Sequence, residues 1–126
     1  AKGRENGMMP LCVIVLDARG ALKAAAAEEG IALKRPEIAT GKANGALSLG
    51  IGSRAIFERA QQQPFFVAAV THATGGSLIP VPGGVLIKDA QGTLLGAVGI
   101  SGDNSDNDEI AAVAGIEAAG LVPITG

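Results

Sequence analysis

The sequence predicts an α+β fold in which helices pack on an antiparallel sheet. Two pairs of short apolar runs are joined by turns too tight for a crossover helix: 11–17 to 21–28 through Ala18-Arg19-Gly20, and 85–88 to 93–101 through Asp89-Ala90-Gln91-Gly92. A long stretch at 35–49 instead repeats its small and apolar residues at helical spacing. Strands and helices come in separate groups, which is the order of an antiparallel sheet with helices laid against it.

Residues 1–6 read as the tail of a helix. Residues 11–17 (LCVIVLD) form a buried strand, because the run is apolar and rich in β-branched side chains. Residues 21–28 favour helix by their alanines, but the tight turn before them favours a hairpin partner, so a strand is expected. The next helix opens at Arg35-Pro36-Glu37 and stops at Gly50. It carries Gly41 and Gly45, each costing about 1 kcal/mol relative to Ala in a helix. A closely packed backbone opposite that face would offset the cost.

Ser53 is expected to cap a short helix to Ala60, and 64–74 forms another. Residues 77–81 read as a short strand before the turn Pro82-Gly83-Gly84. The pattern Ser105-x-x-Asp108 resembles a capping box for a last helix that ends at Gly120. No linker divides the chain, so residues 1–126 are expected to form one domain.

Composition narrows the function. With 48% hydrophobic residues but only three Phe and no Trp or Tyr, the core must be built from Ala, Val, Ile and Leu. A formal charge of −2 gives no basic face for nucleic acid. No apolar run reaches membrane-spanning length. The single Cys12 excludes an internal disulfide and suits a reducing, cytoplasmic setting.

Several motifs carry little chemistry. Gly50-Ile51-Gly52-Ser53-Arg54-Ala55 matches a dinucleotide fingerprint, but a helix precedes it and no acid follows at the ribose position, so it reads as a helix–helix joint. Asp103, Ser105, Asn107 and Glu109 alternate like calcium ligands, yet the loop lacks its glycine and its closing Glu. His72 is the one histidine, too few for a hydrolytic zinc centre, though one imidazole can ligate haem. Lys42 sits among Thr40, Gly41, Ala43 and Gly45, where it can reach over a concave surface to Glu29 or an acidic ligand, or snorkel to water. Gly83 and Gly84 leave backbone N–H groups bare enough to hold an anion, although a tight turn explains them equally.

An ordered set of segments resembles the GlcG/HbpS-like haem-binding family. They are Val15-Leu16-Asp17-Ala18-Arg19-Gly20, Ile38-Ala39-Thr40-Gly41-Lys42-Ala43, Pro82-Gly83-Gly84-Val85, and Leu95-Gly96-Ala97-Val98-Gly99-Ile100-Ser101-Gly102 followed by Asp108. The resemblance implies a profilin-like fold, a five-stranded antiparallel sheet between helices on both faces. It also implies a leading helix before the first strand, of which this chain shows only the end. Members form dimers or larger assemblies. The chain departs from the pattern at Ala26-Ala27-Glu28-Glu29-Gly30, where an arginine is missing, and at Asp103-Asn104.

Together these readings predict an oligomeric, non-enzymatic protein that binds a small molecule, haem or haem-like. Lys42, Glu29, Gly83 and Gly84 are expected to line the site, with His72 as a further ligand. The alternatives are an enzyme of small-organic-acid catabolism that uses Lys42, and a purely structural oligomerisation module.

Overall fold

The computed structural model describes all 126 residues. A single antiparallel sheet runs in the order β2-β1-β4-β3-β5. Its strands are β1 (Cys12–Asp17), β2 (Leu22–Ala27), β3 (Gly84–Lys88), β4 (Leu94–Ser101) and β5 (Val122–Ile124). Five helices accompany it: α1 (Lys2–Glu5), α2 (Arg35–Leu49), α3 (Ser53–Gln62), α4 (Pro64–Ala73) and α5 (Ser105–Ala118). Both expected hairpins are present, and they share one device. Asp17 Oδ1 accepts from the N–H groups of Arg19 and Ala21, and Asp89 Oδ1 accepts from those of Gln91 and Thr93. Those backbone hydrogen bonds hold the Asp17 carboxyl below its ordinary pKa. Gly20 and Gly92 close the turns at φ 85° and 82°.

Strand alternation divides the core in two. Cys12, Ile14, Leu16, Leu86 and Ala97 point to one face and meet Ala39, Ala43 and Ala46 of α2. Val85, Ile87, Val98 and Ile100 point to the other and meet Ala111, Ala112 and Ile116 of α5. The α2 layer lies very close to the sheet. A Cβ on Gly99 would stand 1.9 Å from the Ala39 carbonyl oxygen. A core of small side chains permits that approach.

Three expectations need correction. The fifth strand is not 77–81. Ile79 N–H donates to the Gly41 carbonyl, and a Cβ on Gly41 or Gly45 would meet Ile79 or Leu78 at 2.6 or 2.9 Å. The segment therefore lies across α2 and is the close partner those glycines need, while Pro80 and Pro82 keep it out of a ladder. The fifth strand is β5, whose three residues pair with Leu86–Lys88. Ser53 does not cap α3: Gly52 holds the cap position, and the Ser53 hydroxyl accepts from Gly84 N–H at 2.7 Å. The cap of α5 is Asn104, which accepts from Asn107 N–H at 2.9 Å, while Asp108 turns inward. The Gly50–Gly52 joint is confirmed as helix-to-helix, with Gly50 at φ 73° and Gly52 packed under Thr125.

Candidate functional site: a buried ion pair and an apolar cleft

Lys42 lies on the buried face of α2 and is 2% exposed. Its Nζ donates to the Ile100 carbonyl at 2.9 Å and to Asp108 Oδ2 at 3.0 Å. Asp108 is 1% exposed, and its Oδ1 accepts from Asp103 N–H at 2.9 Å. Burial pushes the Lys42 pKa down, and the Asp108 carboxylate pulls against that shift. No buried side-chain polar atom is left without a partner. The ion pair joins α2, on one face of the sheet, to α5, on the other, around the first residues of β3.

Gly83 and Gly84 make room for this link. A Cβ on Gly83 would stand 2.8 Å from Lys42 Nζ, and one on Gly84 2.2 Å from the Lys42 carbonyl oxygen. Lys42 thus reaches both glycines, but its partner is Asp108 and not Glu29. Gly84 N–H is taken by Ser53, so it is not bare for an anion. Glu29 is exposed after β2. Its neighbour Glu28 makes the contacts there, accepting from Leu11 N–H at 2.8 Å and pairing with Arg4 at 3.0 Å. His72 is exposed on α4, which packs on α3. The structure therefore gathers Lys42, Gly83 and Gly84, and leaves Glu29 and His72 apart.

Sequence reasoning missed Asp108 as the partner of Lys42. A signal existed: Asp108 shares helical spacing with Ala111, Ala112 and Ile116, the buried face of α5. A carboxylate on one apolar helix face needs a cation, and Lys42 on the apolar face of α2 supplies it.

The open space in the molecule lies elsewhere. A cleft of about 680 Å³ sits between α5, the valine-rich face of the sheet and α1. Fourteen of its eighteen lining residues are hydrophobic, which makes it a seat for an apolar body. Val13 and Val15 of β1 and Val98 and Ile100 of β4 form its floor, and Ala111, Ala112 and Gly115 of α5 form a wall. Small residues of α5 line it, and the first residues, Ala1, Lys2, Gly3 and Glu5, edge it. Charge enters only at one side, where Lys2 and Glu5 of α1 stand 3.9 Å apart. A smaller hollow of about 250 Å³ adjoins it at Leu11 and Val13 and reaches Arg4.

Haem needs apolar walls for its ring, cations for its propionates and a donor for its iron. The cleft provides the walls and Lys2. None of its lining residues is His, Cys, Met or Tyr, the usual iron donors. Nor does any group of three or more His, Cys, Asp or Glu side chains in the molecule suit a metal ion. The residues present therefore fit the ring and do not fit its iron.

The fold and the cleft define an α+β sheet domain with helices on both faces and an apolar recess of ligand size. The profile of the family described as haem-degrading protein, HbpS-like, matches residues 1–117, and the chain belongs to this family. No curated protein matches it. Among solved structures, the PduOC–haem complex is similar with a TM-score of 0.84 at 22% identity, over 95% of this chain and 85% of that one. The ORFY protein of Klebsiella pneumoniae is similar with a TM-score of 0.80 at 22% identity, over 92% and 78%. HbpS is similar with a TM-score of 0.76 at 25% identity, over 92% and 77%. No helix is long and apolar enough to cross a membrane.

Proposed function

We propose that this domain is a non-enzymatic binding protein for haem or a haem-like planar molecule, and that the ligand's ring occupies the cleft between α5 and the sheet. The observation that carries this reading is the cleft itself, a recess of about 680 Å³ walled by aliphatic side chains and edged by one lysine. Burying an apolar ring there gains about 25 cal/mol for each Å² removed from water. Lys2 is placed to meet an anionic substituent at the rim. Membership of the HbpS-like family and the likeness to a haem complex support the same ligand class.

In this reading Lys42, Gly83 and Gly84 do not touch the ligand. They tie α2 to α5 and so fix the wall of the cleft. Glu29 and His72 lie outside it. An enzyme using Lys42 as a base finds no support, because Nζ is buried and committed to Asp108 and Ile100. Assembly into a homo-oligomer is supported by α4, which exposes Phe65 (74%), Ala68, Ala69 and His72 along one side. The buried, unpaired Cys12 suits a cytoplasmic setting.

The test uses Gly115, which lines the cleft and whose added Cβ would meet nothing within 4 Å. Gly115→Ala is expected to keep haem affinity within about twofold and to raise stability by about 0.5–1 kcal/mol, since Gly weakens a helix interior. Gly115→Phe is expected to weaken haem binding by about tenfold or more, as a ring-sized side chain competes for the recess. Absorbance titration reads both. A wild-type protein with no saturable Soret change, or a Gly115→Phe variant that binds haem as the wild type does, would remove the proposal.

A further inference from the structure

We infer that the cleft selects the tetrapyrrole ring and not the metal, so that metal-free porphyrin is held as tightly as haem. This deepens the proposed haem site and rests on it. The inference comes from the side chains that line the cleft. The sheet contributes Val13, Val15, Val98 and Ile100, and α5 contributes alanines, Gly115 and Ile116. These side chains have no lone pair to give an iron.

The donors the chain does possess are held elsewhere. The Cys12 side chain belongs to the opposite face of the sheet, packed under α2, where burial raises its thiol pKa. Met8 is buried within the α5-side core and does not line the cleft. Met9 is exposed and lies outside it. His72 is on α4, which packs on α3, and α3 packs on α2, in the layer across the sheet from the cleft. Of the two charged side chains in the cleft, Lys2 is a cation suited to a carboxylate, and Glu5 is a carboxylate whose nearest cation is Lys2. Affinity then comes from burying the ring and from one rim charge, terms that are the same whether the ring holds iron, zinc or two protons.

The experiment compares ferric haem, zinc protoporphyrin and metal-free protoporphyrin by intrinsic absorbance and fluorescence titration of the whole chain. Three dissociation constants within about threefold of one another support the inference. So does a Soret band of bound ferric haem that Met8→Leu, His72→Ala and Glu5→Gln each leave in place. Haem bound at least tenfold more tightly than metal-free porphyrin would overturn it, and the variant that abolishes the difference would name the donor. If none of the three binds saturably, the haem-site reading itself falls, and this inference with it. Binding of haem alone would sink only the inference.

Discussion

Replacing Lys42 with Met should cost about 3–5 kcal/mol of folding stability, the usual penalty for stranding one partner of a buried ion pair. The change leaves the Asp108 carboxylate buried, with the Asp103 N–H as its remaining partner. Asp108→Leu should do comparable damage from the other side, since it leaves an ammonium buried beneath Gly83. The double variant Lys42→Met/Asp108→Leu should recover most of the loss, because two apolar groups need no desolvation of charge. Urea unfolding of the four proteins closes the cycle. A strong favourable coupling is expected, and near-additive losses would mean that the two residues act independently. The same proteins separate structure from binding. Lys42→Met at a temperature where it is still folded should retain haem affinity, whereas a base or a direct ligand contact would be lost with it.

The second large effect is expected at Gly99. A methyl group there would have to occupy space 1.9 Å from the Ala39 carbonyl oxygen, so α2 must move away from the sheet. Gly99→Ala should therefore destabilise by about 3 kcal/mol, at the upper end of what overpacking costs. Thermal unfolding checks it. An unchanged midpoint would show that α2 is not seated on β4 as tightly as described. Gly84, where a Cβ would lie 2.2 Å from the Lys42 carbonyl, belongs to the same contact. These glycines explain how a core without Trp or Tyr closes. The layers meet backbone to backbone.

Much of the fold was legible because its strongest signals are local. Asp17-Ala18-Arg19-Gly20 and Asp89-Ala90-Gln91-Gly92 encode turns through hydrogen bonds made within the turn itself. Residues 21–28 show the turn overriding the helix propensity of four consecutive alanines, and β2 remains exposed along its whole length. The misplaced strand at 77–81 and the missed β5 have a non-local cause. Ile79 finds its partner on α2, and β5 is a strand only because Leu86–Lys88 presents an open edge. Asp108 was misread for a related reason. A carboxylate near a helix start satisfies a capping pattern in one dimension, and only the third dimension brings Lys42 to it.

The candidate site was less legible. Lys42, Gly83 and Gly84 do come together, but around a buried ion pair outside the cleft. The cleft is lined by alanines and Gly115 of α5 and by Val13 and Val98, side chains without polar groups. Such a lining carries no motif, so the sequence offers no sign of it.

The position of a bound ring tests the central claim most directly. Ferric haem broadens nearby amide resonances through its unpaired electrons, and zinc protoporphyrin supplies the diamagnetic reference. In a labelled sample, the amides of Val13, Val98, Ala112 and Gly115 should fade first as haem is added, while those of Ala69 and His72 persist. Broadening centred on His72, with the amides of Val13 and Ala112 intact, would place the ligand on α4 and contradict the account.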